Sequence, residues 1–156
     1  MPSLFTEDTY EQAIIELFEN MGYDHLYAPE LDRDYSSPLL DEILYNSLMH
    51  INKKLPIDAI EEAISKLKNF DTGSLLQKNS IFMDYLQNGI TVKFFVKGKE
   101  QSTIVQLIDY ENIDKNTFYI VNQFTFLENG NNRRPDIILF VNGLPLVLME
   151  LKSPAK

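Results

Sequence analysis

The first half of the chain carries apolar residues at the spacing of amphipathic helices. Four helices are predicted, over residues 7–20, 39–52, 57–68 and 79–87. Gly22 follows the first as a C-terminal cap, and a polar stretch at 29–38 is predicted to be a loop. Pro56 separates the second and third, which predicts a helical hairpin, and Asn88-Gly89 ends the fourth.

After Gly89 the apolar period changes from helical to strand-like. Five strands are predicted, over residues 90–96, 103–108, 117–126, 136–141 and 145–152, with loops at 97–101, 111–116 and 128–134. Ile137–Val141 and Leu146–Met149 are apolar at successive positions, which predicts central strands covered on both faces. Helices followed by strands predict an α+β fold in which helices pack on a sheet.

The chain length of 156 residues suffices for one well-buried core, so we expect a single domain over 1–156. Residues 1–89 would form a mainly helical part, and 90–156 a sheet that carries the active site. Cysteine is absent, which excludes disulfides, cysteine zinc sites and thiol nucleophiles. His25 and His50 show no metal-ligand spacing. Without a leader or a membrane-length apolar run, we expect a soluble cytoplasmic protein.

The net charge of -9 opposes nucleic-acid binding, because affinity for DNA comes mainly from Lys and Arg. Its distribution changes this picture. Residues 1–114 hold 9 basic and 20 acidic side chains, whereas 115–156 hold 5 basic and 3 acidic. The carboxy-terminal quarter is therefore the part suited to approach a phosphodiester, and its balance of +2 is small enough that we expect a larger assembly to hold the DNA.

Charged residues flank the last two apolar strands. Asp136 begins one strand, while Glu150 and Lys152 end the next and share a face, because strand side chains alternate. Two carboxylates and an ammonium suit phosphodiester hydrolysis with Mg²⁺. The carboxylates would hold the cation, and the lysine would orient the attacking water or offset transition-state charge. The alternative is a strand-end ion pair between Asp136 and Lys152.

The turn between these strands decides whether the three groups can meet. With a regular two-residue turn at Asn142-Gly143, Asp136 would face Met149 and lie on the opposite side from Glu150. A shared site therefore requires a three-residue loop over Val141–Gly143, with its glycine at positive φ, or a bulge near Asp136.

A third acidic ligand is sought on the first helix. Glu7 and Glu11 project beside its apolar stripe, whereas Glu16 and Glu19 fall on the opposite face. Glu11 is the first candidate and Glu7 the second. The alternative is that Glu7 stabilises the helix amino terminus and Glu11 lies at a wet boundary.

Four segments carry a family resemblance. They are Asn122-Gln123-Phe124, Arg133–Ile137, Val141–Val147 and Glu150-Leu151-Lys152. Together they closely resemble the R (restriction) subunits of type I restriction enzymes, which belong to the PD-(D/E)xK nuclease superfamily. The resemblance is densest over 118–154 and extends more loosely to the first helix. It implies a type I site-specific deoxyribonuclease with a restriction-endonuclease-like fold, a mixed sheet flanked by helices.

The resemblance also implies roles for individual residues. Asp136 and Glu150 would bind Mg²⁺, and Leu151 would offer its backbone carbonyl to the same ion. Lys152 would assist the attacking water. Glu11 matches the helix acid seen more generally in the superfamily.

Three further residues would meet DNA phosphate on the same resemblance. Arg133 and Arg134 are the basic candidates, with exposed salt bridges as the alternative. Gln123 could contact the site or satisfy a buried backbone group instead.

The R subunits continue into an ATP-driven motor. Here Gly98-Lys99 is followed by Glu100, so the phosphate-binding loop pattern is missing and we expect no ATP binding by this chain. We therefore expect a fragment of a larger subunit, truncated after the Glu-x-Lys strand. Its partners would be double-stranded DNA and the methylation and specificity subunits. Two alternatives stay open: a non-catalytic domain whose acidic half docks another subunit, and a free-standing junction-resolving or repair nuclease of the same superfamily.

Overall fold

The computed structural model describes residues 6–69 and 73–152. Its helices are α1 (Glu7–Asn20), α2 (Asp41–Ile51), α3 (Ile57–Lys68) and α4 (Leu75–Asn88). Its strands are β1 (Asp24–Tyr27), β2 (Ile90–Val96), β3 (Lys99–Val105), β4 (Phe118–Asn122), β5 (Phe126–Glu128), β6 (Asn131–Arg133), β7 (Ile137–Val141) and β8 (Leu144–Met149). The chain divides into two compact units: the first comprises residues 1–41 and 117–156, and the second comprises residues 42–116.

A four-stranded mixed sheet forms the centre of the first unit, in the order β1-β4-β7-β8. β1 runs parallel to β4, and the other two pairs are antiparallel. A buried cluster joins α1 to this sheet: Ile15, Ile120, Ile137 and Leu139. The predicted α+β class and its mixed sheet are confirmed.

Local signals set the ends of α1 where the sequence predicts them. The Thr6 hydroxyl accepts a hydrogen bond from the Thr9 N–H at 3.2 Å and so caps the first turn. After the helix, Gly22 has a φ of +98°, a left-handed conformation that favours glycine and ends the helix. These two signals therefore fix where α1 begins and ends.

The β7–β8 hairpin closes through a two-residue turn, so the predicted three-residue loop is wrong, while the predicted alternative, a bulge, is present between Leu139 and Phe140. Asn142 and Gly143 have φ values of +53° and +81°, which Asn-Gly adopts readily in hairpin turns. The required shift of register comes instead from a bulge: Phe140 faces Pro145, but Leu139 faces Val147. Proline cannot donate to a ladder and is tolerated at such irregularities.

β8 lies at the edge of the sheet in the part of the chain that the structure describes, so the prediction that it is central is wrong. Val147 and Leu148 remain 43% and 57% exposed. β7 is central, as predicted, with β4 and β8 on its two sides. A run of successive apolar residues therefore predicted a central strand correctly for β7 but not for β8.

The second unit combines α3, α4 and most of α2 with the β2–β3 hairpin. Lys97 and Gly98 form a two-residue turn at positive φ, so β3 begins at Lys99 and the predicted loop at 97–101 is too long. A capping box between Ser74 and Gln77 starts α4 before the predicted residue 79. The predicted division at 89/90 thus separates helices from strands. The compact units divide the chain differently: one combines α1 with the four-stranded sheet, and the other combines β2–β3 with the remaining helices.

No helix among the described residues combines the length and apolar character needed to cross a membrane.

Candidate active site

Gln123 stands at the point where β4 ends. Its φ of +57° lies in the left-handed region, which breaks the strand predicted to continue to residue 126. The Gln123 N–H donates to the carbonyl of Asp136 at 3.2 Å, and its side-chain Nε2 donates to Oε1 of Glu11 at 2.8 Å. One residue therefore connects α1 with the beginning of β7.

Asp136 immediately precedes β7 and is half-buried. Its Oδ2 accepts a hydrogen bond from the Leu151 N–H at 2.6 Å, which ties the start of β7 to the segment that follows β8. The last pair of the ladder is Ile137 with Met149. If this register continues by one residue, Asp136 lies opposite Glu150. Both side chains then point to the same face of the sheet, as a shared site requires.

These residues line a pocket of about 310 Å³ within the first unit. Its lining consists of Glu7, Asp8, Glu11, Gln123, Arg134, Asp136 and Leu151. Glu11 is only 7% exposed, although a carboxylate is rarely buried unless it has a partner. The pocket thus brings together five site residues predicted from the sequence: Glu11, Gln123, Arg134, Asp136 and Leu151. Glu7, the second candidate on α1, also lines it.

Three other candidates do not line this pocket. Glu150 and Lys152 follow β8 and are exposed, so their catalytic roles stay predictions. Arg133 is also exposed, and its Nε lies 3.4 Å from Oε2 of Glu128, which agrees with the salt-bridge alternative. Among the described residues, no group of three His, Cys, Asp or Glu side chains is arranged to hold a metal ion.

The donor chemistry of the pocket nevertheless fits Mg²⁺. This ion is usually held through one or two carboxylates, with waters and substrate phosphate completing its coordination. Glu11 and Asp136 supply two carboxylates to one pocket, and each uses one oxygen in the hydrogen bonds described above and carries a second.

Asp8 lines the pocket but is not among the residues that the sequence nominated. It lies three positions before Glu11 on α1, and residues at this spacing are neighbours on a helix surface. The helical geometry that selected Glu11 therefore also contained the signal for Asp8.

An α+β domain with carboxylates from a helix and from a strand end gathered in one pocket is compatible with the class of nucleases. The family described as "Type I restriction enzyme R protein N terminus" matches residues 4–156, and the chain belongs to this family. The resemblance stated from the sequence motifs is confirmed.

Two curated relatives carry names that match this family. A putative type I restriction enzyme MjaIXP endonuclease subunit of Methanocaldococcus jannaschii is 35% identical over 153 residues, covering 92% of this chain. The type I restriction enzyme HindI endonuclease subunit of Haemophilus influenzae is 31% identical over 162 residues, covering 98% of this chain. The chain spans about 15% of the length of each of these relatives.

Proposed function

We propose that this chain is a nuclease module that hydrolyses phosphodiester bonds of double-stranded DNA with Mg²⁺, on a PD-(D/E)xK fold. The observation that carries the proposal is the meeting of Glu11 and Asp136 in one pocket, although they lie at opposite ends of the chain. A buried carboxylate on a helix and a second one at a strand end make a costly arrangement that a hard cation would stabilise.

Within this pocket, Glu11 and Asp136 would hold Mg²⁺ through their carboxylates, and Leu151 would add its backbone carbonyl. Bound Mg²⁺ would supply a Lewis acid that polarises the phosphate. The Leu151 N–H already fixes one oxygen of Asp136 at 2.6 Å, which orients that carboxylate before substrate arrives.

The remaining roles belong to exposed residues. Glu150, which an extension of the β7–β8 register sets opposite Asp136, would complete the ligand set, and Lys152 would orient the attacking water or offset charge in the transition state. Arg134, which is exposed and lines the pocket, would contact a DNA phosphate.

In the complete R subunit, we propose that cleavage is coupled to ATP-driven translocation of DNA by parts outside this chain. The methylation and specificity subunits would be its partners. The names of the relatives, endonuclease subunits of type I restriction enzymes, support this assignment.

Two substitutions at one position test the proposal. Asp136→Asn keeps an oxygen that can accept from the Leu151 N–H but removes the negative charge, whereas Asp136→Ala removes both. In the complete R subunit assembled with its partners, both variants should lower Mg²⁺-dependent DNA cleavage by about 10³-fold, a loss of about 4 kcal/mol. Asp136→Asn should also keep the thermal stability of the parent.

If Asp136→Asn cuts DNA as fast as the parent while Asp136→Ala unfolds, the carboxylate serves only to hold Leu151. That result would overturn the catalytic assignment and favour a docking role.

A further inference from the structure

The β5–β6 ribbon, residues 126–133, is an exposed hairpin beside the candidate active site. Phe126 pairs with Arg133, and Glu128 pairs with Asn131. Its tip is Asn129-Gly130, with φ values of +50° and +78°, the two-residue turn that Asn-Gly favours. All three side chains of β6 are exposed, so the ribbon offers its second strand to a partner.

The base of the ribbon is fixed to the first unit. The Leu127 N–H donates to the carbonyl of Tyr35 at 2.8 Å, and Nη2 of Arg33 donates to the carbonyl of Thr125. The Arg33 guanidinium lies 3.9 Å from the ring centroid of Phe124 and 4.3 Å from that of Tyr35. Burial at this site lowers the pKa of Arg33. An exposed tip on an anchored base suits a binding element.

Charge favours the ribbon as the part of the first unit that meets DNA. This unit holds 13 acidic and 5 basic side chains, a balance of -8 that repels phosphate. Two of the five basic residues are Arg133, in β6, whose Nε lies 3.4 Å from Oε2 of Glu128 in β5, and Arg134, the next residue, which lines the pocket. Of the described residues that line the pocket, Arg134 alone is basic. A phosphate bound beside Asp136 would therefore lie close to Arg134, the residue that follows β6.

The dimensions also fit a DNA groove. The major groove is about 12 Å wide and about 8.5 Å deep, and it admits a two-stranded β-ribbon, whereas the minor groove is about 6 Å wide. Strands of three residues are about 10 Å long, which matches the depth of the major groove. Asn131 and Asn132 carry amides, which donate to and accept from base edges.

We propose that the β5–β6 ribbon enters the major groove of duplex DNA beside the scissile phosphate. With the tip inserted, Asn131 and Asn132 reach base edges from the two faces of the ribbon, and Arg133 and Arg134, farther from the tip, contact the backbone. This inference rests on the proposed nuclease function, and it adds the element that positions the duplex over the pocket.

The absence of cysteine from the chain allows a direct test, because one substitution creates a unique thiol. Asn131→Cys places it in β6, and Met21→Cys places a control thiol at the end of α1, where the parent side chain is 64% exposed. Each protein is incubated with a duplex that carries a disulfide-forming tether on one base, in the major groove or in the minor groove. Asn131→Cys should form the covalent complex several-fold faster with the major-groove duplex than with the minor-groove duplex, and several-fold faster than Met21→Cys. Equal rates for the two proteins, or for the two grooves, would overturn the proposal.

A salt titration supplies a second measurement that does not depend on a thiol. Arg133→Gln combined with Arg134→Gln should weaken binding to a plain duplex and reduce the slope of log affinity against log salt by about 2. The control combines Lys78→Gln with Lys115→Gln, which removes the same charge from the second unit. A slope change that is equal in the two double variants would contradict a specific role for the ribbon.

These measurements distinguish a wrong assignment of the ribbon from a wrong assignment of the nuclease function. The crosslink should form without Mg²⁺ and in the Asp136→Asn background, because the ribbon contacts DNA independently of chemistry. Loss of cleavage in Asp136→Asn without any selective crosslink would refute the ribbon alone. A selective crosslink together with unimpaired cleavage by Asp136→Asn would refute the catalytic assignment and leave the ribbon as a DNA contact.

Discussion

The candidate site has two parts that differ in burial and in hydrogen bonding. The inner group consists of Glu11, Gln123, Asp136 and Leu151, which are connected by three hydrogen bonds of 2.6 to 3.2 Å. The outer pair, Glu150 and Lys152, is exposed and follows an edge strand. The inner group is therefore positioned by the folded chain itself, whereas the outer pair lies on the surface.

This difference has an energetic consequence. Substitutions in the inner group remove hydrogen bonds made by buried or half-buried residues, each of which contributes about 1 kcal/mol to stability. Substitutions in the outer pair touch exposed side chains, which usually change stability by less than about 0.5 kcal/mol. Inner substitutions that remove a hydrogen bond should affect both stability and chemistry, and outer substitutions chemistry alone.

The largest effect is expected at the outer pair. Lys152→Ala should lower DNA cleavage by about 10³-fold, because the transition state loses a positive charge close to the phosphate. The free energy of unfolding should stay within about 0.5 kcal/mol of the parent, measured by chemical denaturation. Lys115→Ala, at another exposed lysine, is the matched control and should change neither quantity. Normal cleavage by Lys152→Ala would remove Lys152 from the mechanism.

A smaller effect is expected at Glu11, where two substitutions separate charge from hydrogen bonding. Glu11→Gln keeps an oxygen for the Gln123 amide and removes the charge, so Mg²⁺ affinity should fall about tenfold, or about 1.4 kcal/mol. Glu11→Ala leaves the amide without this acceptor and should also lower the free energy of unfolding by about 1–3 kcal/mol. Calorimetric titration with Mg²⁺ and chemical denaturation measure the two quantities. Unchanged Mg²⁺ affinity in both variants would exclude Glu11 as a ligand.

Local signals allowed much of the fold to be predicted from the sequence. The bounds of α1, α3 and β2 agree with prediction, because caps, turns and apolar periods act over a few residues. The start of α4 was predicted too late, at residue 79. Its start signal, the capping box of Ser74 and Gln77, is local, but apolar spacing alone does not contain it.

Elements that depend on distant partners could not be predicted in this way. β1 was not predicted, because its four residues form a strand only through parallel pairing with β4, almost a hundred positions later. β6 was assigned to a loop for a different reason, because Asn131-Asn132-Arg133 has little strand propensity, although the turn at Asn129-Gly130 that sets its pairing with β5 is a local signal.

The site shows the same division between local and distant causes. Helical geometry alone nominated Glu11, and the structure buries it. The contact between Asp136 and the Leu151 N–H depends on the bulge in β8, which shifts the register by one residue. The sequence showed that a shared site required such a shift, but not that the shift would lie between Leu139 and Phe140.

The smallest effect concerns the backbone of Gln123, the residue that connects the inner group. At its φ of +57°, a residue with a Cβ carries a strain of about 1–2 kcal/mol that glycine lacks. Gln123→Ala keeps this strain and loses the hydrogen bond to Glu11, so the free energy of unfolding should fall by about 1 kcal/mol. Gln123→Gly loses the same bond but relieves the strain, so its stability should stay close to that of the parent. Mg²⁺ affinity should fall equally in both, because each loses the amide that orients the Glu11 carboxylate. If the glycine variant instead binds Mg²⁺ like the parent, the inner group does not depend on that amide, and Gln123 contributes through its backbone N–H to Asp136 alone.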